Sequence, residues 1–186
     1  MDDLQNHLAQ MLKTQRTLRG WSLSQAAEMT GVSKAMLGQI ERAESSPTIA
    51  TLWKIATGFN LPFSLFINGP ATPDDAPRQP QHLPAFRQPN RAMQVQTLFP
   101  FDAATGFEML VIELAPGAVS ESAPHEAGVI EHAIVIEGRL ELCVTGVWQS
   151  VAAGDALRFQ ADRPHAYRNS GEQPVRFYNL IHYPHR

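Results

Sequence analysis

The stretch that decides the fold of the first third of the chain is residues 22–42, SLSQAAEMTGVSKAMLGQIER. Ser22 is followed three residues later by Gln25, the spacing of a capping box, so we expect a helix to begin after Ser22. We expect that helix to end at Gly31, because glycine readily adopts the left-handed conformation that closes helices. Ser33 then caps a third helix, predicted to run from Lys34 to Arg42. Two short helices joined by so tight a turn have a helix-turn-helix layout, although an ordinary five-helix bundle has similar spacing.

The segments on either side also predict helices. An apolar stripe at helical spacing begins at Leu4, reaches Leu18 and is closed by Gly20. On the other side, Ser46-Pro47 is expected to open a fourth helix, because proline is tolerated at the first helical position. Pro62 is expected to start a short fifth helix. The predicted N-terminal domain, residues 1–68, is therefore all-α with five helices.

This segment resembles the phage-repressor-like (XRE) helix-turn-helix family over residues 4–67, on the residues at 23–27, 31–33, 37–42, 46–48 and 52–56. The resemblance implies that the third helix enters the major groove of DNA, with Lys34, Ala35 and Gln39 toward the base edges. Lysine donates to guanine, glutamine pairs with adenine, and alanine contacts a thymine methyl. The hydroxyls of Ser24 and Ser33 are expected at the phosphates. The same family pattern predicts an ion pair between Arg16 and Glu41 that holds the first helix against the third.

Charge and composition bound the class of protein. The chain has 186 residues, 44% of them apolar, and a single cysteine, Cys143, which excludes an internal disulfide and fits a reducing cytoplasm. Residues 1–69 carry six basic and five acidic side chains (+1), and residues 70–186 carry nine and thirteen (−4), which sums to the net charge of −3. DNA affinity must therefore come from locally placed cations. No apolar run approaches the ~18 residues of a membrane span, and the acidic N-terminus does not resemble a secretory signal.

A proline-rich segment separates the two halves. Six prolines occur between Pro70 and Pro89, which exclude a helix and favour an extended spacer. We therefore expect a linker at residues 69–92 and a second domain at residues 93–186. Six β-rich segments with Gly, Pro and Asp turns between them predict an all-β sandwich or barrel in that domain, at residues 94–99, 107–114, 130–136, 139–144, 156–159 and 175–183.

Two motifs in this region resemble those of the cupins, which implies a double-stranded β-helix barrel. The first contains His125, Glu131 and Gly138, with Ala127 where the family has a second histidine. The second contains Gly154, His165 and Asn169, although Gln160 and Asp162 stand where the family has an inner proline and glycine. The resemblance implies a divalent metal site of His125, Glu131 and His165. Two imidazoles and a carboxylate suit Zn²⁺, Fe²⁺ or Mn²⁺, and water or an effector would complete the coordination.

Several alternatives stay open for this site. Glu126 is a substitute ligand beside Ala127, and His132 replaces Glu131 if the strand register is shifted by one residue. His182 and Met109 are further candidates for the wall of an effector pocket. The alternative to a metal site is a degenerate barrel, in which the histidines only form hydrogen bonds.

The whole chain resembles a subgroup of these regulators that controls sulfur utilisation, on residues 32–42, 120–132 and 180–184. The resemblance implies a homodimer joined through the barrels, a near-palindromic DNA operator, and a sulfur-containing amino acid or metabolite as effector. A second hypothesis is a metal-dependent cupin enzyme, a dioxygenase or isomerase, fused to a DNA-binding domain. A third is a DNA-binding protein whose barrel only dimerises. The first is favoured, because no separate acid–base set accompanies the barrel histidines.

Overall fold

The computed structural model describes residues 2–67, 77–80, 83, 85–87 and 92–184. The chain forms two compact units, Met1–Ala76 and Pro77–Arg186. Most of the predicted linker, including Pro70, Pro73, Pro84 and Pro89, lies outside the described residues. Within the described part, no helix is both long enough and apolar enough to cross a bilayer.

The N-terminal unit is all-α, as predicted. Its helices are α1 (Asp2–Leu18), α2 (Leu23–Thr30), α3 (Lys34–Glu41), α4 (Ile49–Phe59) and α5 (Ser64–Ile67). Each helix contributes apolar side chains to one core. Its largest fully buried members are Leu8, Leu12, Leu37, Ile40, Ile49, Leu52, Ile55, Phe59, Phe63 and Phe66.

The helix caps explain where α2, α3 and α4 begin. The capping box of Ser22 and Gln25 forms as expected. Ser33 Oγ accepts from the backbone N–H of Met36 at 3.2 Å. The predicted start of α4 at Pro47 is wrong: Thr48 is the N-cap, because its hydroxyl accepts from the backbone N–H of Thr51 at 3.1 Å.

A close approach joins α4 to the end of α2 at Gly58. A Cβ atom at this position would lie 2.5 Å from the carbonyl oxygen of Met29 and 2.6 Å from the Cα of Thr30. Only glycine therefore allows the two backbones this spacing.

The C-terminal unit is all-β and consists of two antiparallel sheets. The six-stranded sheet has the order β1 (Ala85–Arg87), β2 (Met93–Asp102), β3 (Phe107–Leu114), β10 (Val175–His182), β5 (Ile130–Glu137) and β8 (Ala156–Gln160). The four-stranded sheet has the order β4 (Val119–Ser122), β9 (His165–Arg168), β6 (Arg139–Val144) and β7 (Val147–Ala152). This arrangement confirms the predicted cupin barrel.

Four short strands, β1, β4, β7 and β9, were not among the predicted segments. Strand β1 pairs with β2 through Phe86↔Val95, so part of the expected spacer belongs to the sheet. Strand β7 has four exposed residues in succession, which gives it no alternating apolar pattern to recognise.

Two motif residues have structural roles in the barrel. Gly138 has φ +79°, and a Cβ there would lie 2.9 Å from the carbonyl oxygen of Pro174. Asn169 is fully buried, and its Nδ2 donates to the carbonyl oxygens of Leu114 (3.1 Å) and Gln173 (2.8 Å). Its Oδ1 accepts from the N–H of Gly171 at 2.9 Å. These bonds tie the turn before β10 to the end of β3.

Candidate functional site

The exposed face of α3 carries the side chains that were predicted to read DNA. Lys34, Ala35 and Gln39 are exposed, whereas Leu37 and Ile40, on the opposite face of the helix, are buried in the core. Ser33, at the N-terminus of α3, is also exposed. The helix therefore presents all three predicted DNA-reading side chains to solvent.

Ser24 is exposed in the first turn of α2, the first of the two helices in the helix-turn-helix. The first turn of a helix leaves backbone N–H groups without intrahelical partners, and such groups bind phosphate oxygens. The position of Ser24 is therefore compatible with the predicted phosphate contact.

The predicted ion pair of Arg16 and Glu41 is present and holds the C-terminal end of α3. The guanidinium donates through Nε to Oε1 (2.6 Å) and through Nη2 to Oε2 (2.9 Å). Its Nη1 also donates to the carbonyl oxygen of Trp21 at 2.8 Å. The bidentate geometry joins α1 to the last residue of α3, so the pair sets the orientation of the exposed helix face.

A second polar cluster lies inside the barrel. His125 precedes β5, Glu131 lies on β5, and His165 begins β9 of the other sheet. One ligand atom from each residue lies within 4.8 Å of the others. The structure therefore brings together the three side chains that the cupin motifs predicted.

The two oxygens of Glu131 have different partners. Oε1 faces the imidazoles: it lies 2.8 Å from His125 Nε2 and 3.5 Å from His165 Nε2. Oε2 accepts from the hydroxyl of Tyr167 in a short hydrogen bond and from Nδ2 of Asn179 at 2.8 Å. The carboxylate is thus held in place through Oε2, and Oε1 faces the two histidines.

His165 is oriented for coordination. Its Nδ1 is 2.8 Å from the carbonyl oxygen of Arg163, so Nδ1 carries the proton and donates it. Its Nε2 is buried and has no hydrogen-bond partner among the described residues. In the neutral ring a lone pair on Nε2 faces Glu131 Oε1 at 3.5 Å, and this contact is favourable only with a cation between the two atoms or with a second proton on the ring.

Burial and charge shape the protonation of this cluster. Burial alone would raise the pKa of Glu131, but the neighbouring His125 and His165 outweigh it and hold that pKa well below its usual range. Burial lowers the pKa of His165, and Glu131 more than compensates, so the net shift is upward. Burial, together with the Glu131 charge, raises the pKa of Tyr167 well above its usual value, so its hydroxyl stays a donor.

The donor set fits a divalent metal. Two imidazole nitrogens and one carboxylate oxygen are a common ligand set for Zn²⁺ and Fe²⁺. The buried Nε2 of His165, which has no hydrogen-bond partner within the described part of the chain, is the strongest local sign of a fit. Three protein ligands would leave further coordination positions for water or another ligand.

The structure does not bring Met109, His132 and His182 to this cluster. Each occupies the alternate position of its strand: its neighbours Leu110, Glu131 and Ile181 are buried in the interior. Successive side chains point to opposite faces of a sheet, so these three side chains point away from Glu131. The same alternation keeps Glu131 as the inward residue, as the unshifted register predicted.

The region of the missing histidine is a turn. Ala127 is exposed, and Glu126, the proposed substitute ligand, is half-buried in the same turn. Gly128 continues the turn with φ +88°. Glu126 does not belong to the three-residue cluster of donor atoms.

Two members of the site, Tyr167 and Asn179, were missed in the sequence. Both lie at inward positions of their strands, and Tyr167 shares its face with His165 two residues earlier. That spacing was a usable signal for Tyr167 once β9 had been recognised. Nothing in the sequence connects Asn179 with Glu131, because their contact arises from strand pairing.

The barrel contains a second buried glutamate that accepts a hydrogen bond from a tyrosine hydroxyl. Glu108, on β3, is fully buried, and its Oε1 accepts from the hydroxyl of Tyr183 at 2.5 Å. Glu108 and Glu131 pair with the same residue, Ile181, from opposite sides. Glu108 does not belong to the cluster of three donor atoms.

Comparisons with known proteins cover both units. The Helix-turn-helix family matches residues 12–66, and the Cupin domain family matches residues 110–181. The HTH-type transcriptional regulator SutR of Escherichia coli (strain K12) is 55% identical over 184 residues, 99% of each chain. The HTH-type transcriptional regulator PuuR of the same organism is 24% identical over 156 residues, 83% of each chain. A solved HTH_3 family transcriptional regulator from Vibrio cholerae is 43% identical, with a TM-score of 0.82 and 97% of each chain covered.

Proposed function

This chain belongs to the helix-turn-helix transcriptional regulators that carry a C-terminal cupin domain, and from that premise we propose that it controls genes of sulfur utilisation in response to a small molecule. The relative that supports this proposal is SutR, whose similarity extends over both units. The proposed effector is a sulfur-containing amino acid or a related metabolite. A thiol or thioether is a suitable donor for a borderline metal such as Zn²⁺.

The observation that carries the DNA-binding half is the exposed face of α3. We assign base contacts to Lys34, Ala35 and Gln39, and phosphate contacts to Ser24 and Ser33. Two copies of this helix would read two half-sites about one helical turn, roughly 34–36 Å, apart. The proposed protein is therefore a homodimer, joined through its barrels, on a near-palindromic operator in the cytoplasm.

Replacing Gln39 tests this assignment. The operator is first selected from a random DNA pool with the unaltered protein. Gln39→Ala should then lose about 5- to 150-fold of its preference for that operator over unrelated DNA, since a bidentate base contact contributes about 1–3 kcal/mol of discrimination. Nonspecific affinity should be retained. Gln10→Ala is the matched control, because Gln10 is an exposed glutamine on α1. An unchanged preference in Gln39→Ala would refute the role of α3.

We propose that the barrel holds one divalent metal, Zn²⁺, Fe²⁺ or Mn²⁺, on His125, Glu131 and His165. The effector would occupy positions that the protein leaves open on that metal. An effector changes DNA binding only if it binds the two conformations of the regulator with different affinity. Thermal-shift measurements with cysteine, methionine and sulfate test this proposal, because a ligand of the folded state raises its stability. If none of these compounds stabilises the metal-loaded barrel, the proposed effector class is wrong.

The same ligand set is the reason to test an alternative function. Two histidines and one carboxylate with open positions are also the iron ligands of non-haem oxygenases. We nevertheless propose a sensor and not an enzyme, because the DNA-binding unit precedes the barrel and the related SutR is a transcriptional regulator. Oxygen consumption by the Fe²⁺-loaded protein with thiols and amino acids discriminates the two functions. Turnover would favour the enzyme.

Gene control is tested separately from ligand binding. Transcripts are compared between the parent strain and a strain lacking this gene, with sulfate or with a limiting sulfur source. The proposal predicts that altered transcripts concentrate among genes of sulfur acquisition. Changes confined to other pathways would refute the sulfur assignment and leave the DNA-binding assignment intact.

A further inference from the structure

We infer that Tyr167 and Asn179 are positioning residues that restrict Glu131 to ligation through one oxygen and so keep coordination positions open for an effector. The inference rests on the metal site proposed above. It assigns a role to two buried residues that are not themselves ligands.

The two oxygens of Glu131 have separate sets of partners. Two donors, the hydroxyl of Tyr167 and Nδ2 of Asn179, converge on Oε2. Both imidazoles lie nearest to Oε1. A carboxylate oxygen that accepts two hydrogen bonds has little remaining capacity for a metal, whereas Oε1 points to the place where the histidine nitrogens converge.

Both donors to Oε2 are held in place by their surroundings. The Tyr167 ring stacks on Phe177 with centroids 5.3 Å apart and an interplanar angle of 30°, which fixes the direction of its hydroxyl. Tyr167 and Asn179 are only 3% and 1% exposed, so water does not compete for Oε2. Tyr167 lies on β9 and Asn179 on β10, so Glu131 is held from both sheets.

The Asn179 amide is oriented toward Glu131. Its Nδ2 is directed at Glu131, while its buried Oδ1 has no hydrogen-bond partner among the described residues. A buried carbonyl oxygen without a partner is costly, and native proteins rarely keep one without a reason. The orientation of the amide is therefore set by its contacts with Glu131 and Tyr167 and not by a partner of Oδ1.

The two hydrogen bonds to Oε2 affect how many ligand atoms the protein supplies to the metal. If Glu131 binds through one oxygen, the protein provides three donor atoms. Release of Oε2 would allow the carboxylate to chelate and would consume a fourth position. Tyr167 and Asn179 therefore determine how much of the metal is available to an exogenous ligand.

The test uses Co²⁺ as a visible probe in the full-length protein. The variants are Tyr167→Phe and Asn179→Leu, which remove a donor at similar volume. The control is Tyr183→Phe, which removes the corresponding hydroxyl from Glu108, a buried carboxylate outside the cluster. Metal-free thermal unfolding verifies that each variant is folded.

We expect the Kd for Co²⁺ to rise about 10- to 100-fold in Tyr167→Phe and Asn179→Leu, the usual effect of removing a partner of a metal ligand. The visible bands should weaken, since Co²⁺ of higher coordination number absorbs less. The affinity of the bound Co²⁺ for azide, an exogenous ligand, should fall in the same variants. Tyr183→Phe should match the unaltered protein in all three measurements.

The possible contrary results distinguish a failure of the metal site from a failure of the positioning role. If the unaltered protein binds no Co²⁺, both the metal site and the positioning role are refuted. If it binds Co²⁺, but both variants keep its Kd within twofold and its spectrum, only the positioning role is refuted. Should a variant fail to fold, infrared difference spectra of the unaltered protein with and without Co²⁺ decide: the splitting of the carboxylate bands must be that of one-oxygen ligation, and the splitting of a chelating carboxylate would overturn the inference.

Discussion

The ion pair between Arg16 and Glu41 should contribute measurably to the stability of the N-terminal unit. Breaking it with Glu41→Ala removes two charge-assisted hydrogen bonds, of 2.6 and 2.9 Å, from side chains that are 18% and 8% exposed. Such bonds contribute about 1.5–3 kcal/mol each, and breaking a fully buried pair costs about 3–5 kcal/mol. Arg16 keeps its bond to Trp21 and some contact with water. We therefore expect a loss of about 2–3 kcal/mol, which is less than the cost of breaking a fully buried pair.

A double-mutant cycle isolates the pair itself. Arg16→Met, Glu41→Ala and the double variant should give a coupling energy of about 1–2 kcal/mol, typical of residues in direct contact. Urea unfolding followed by tryptophan fluorescence is suitable, because Trp21 and Trp53 lie in the N-terminal unit. Trp148, which lies in the other unit, is replaced by phenylalanine in every variant.

The pair of Arg42 and Glu44 is a matched control for this cycle. It has the same bidentate geometry, with bonds of 2.8 and 2.7 Å, but its side chains are more than half exposed. Water and salt screen such a pair, so its cycle should give no measurable coupling. An equally small coupling between Arg16 and Glu41 would refute the expectation that burial strengthens this pair.

Three further predictions address packing, a buried amide and the metal. Gly58→Ala should destabilise the N-terminal unit by about 1–2 kcal/mol in the same urea assay, because the overlap with the Met29 carbonyl exceeds the gain in helix propensity; a neutral or stabilising result would contradict the close approach. Asn169→Ala should lower the stability of the barrel by about 2–4 kcal/mol in calorimetry, since it leaves the Leu114 and Gln173 carbonyls without their donor, and an unchanged barrel transition would show that water replaces it. Removing the metal with a chelator should lower the free energy of unfolding of the barrel by about 2.7 kcal/mol, relative to protein with metal at a hundred times its Kd. An unchanged thermal transition after chelation would indicate a barrel without metal.

Local patterns predicted most of the fold. The start and end of α2 and the start of α3 follow from Ser22, Gly31 and Ser33, because capping is a property of a few adjacent residues. Strands β3 and β6 were predicted with the bounds that the structure shows, since both combine apolar runs with flanking turns. Strand β9, with only four residues, is too short for its periodicity to stand out.

The site was predicted in part, for a physical reason. The sequence predicted that His125, Glu131 and His165 lie together, as they do in the structure, because the spacing of a motif is visible along the chain. The partners of Glu131 were not, because Tyr167 and Asn179 reach it through the pairing of strands that are distant in sequence. Met109, His132 and His182 were chosen for their chemistry, but they lie at alternate strand positions whose side chains point away from Glu131.

The central position of β10 has a consequence for the biogenesis of the protein. This strand lies between β3 and β5, so the larger sheet cannot be completed until residues 175–182 have left the ribosome. The five helices are available long before that point, and domains generally fold as they emerge. A nascent or truncated chain without β10 would expose two unpaired strand edges, which promote aggregation. Translation arrest before residue 175 should therefore yield chains with a folded helical unit and a barrel that depends on chaperones.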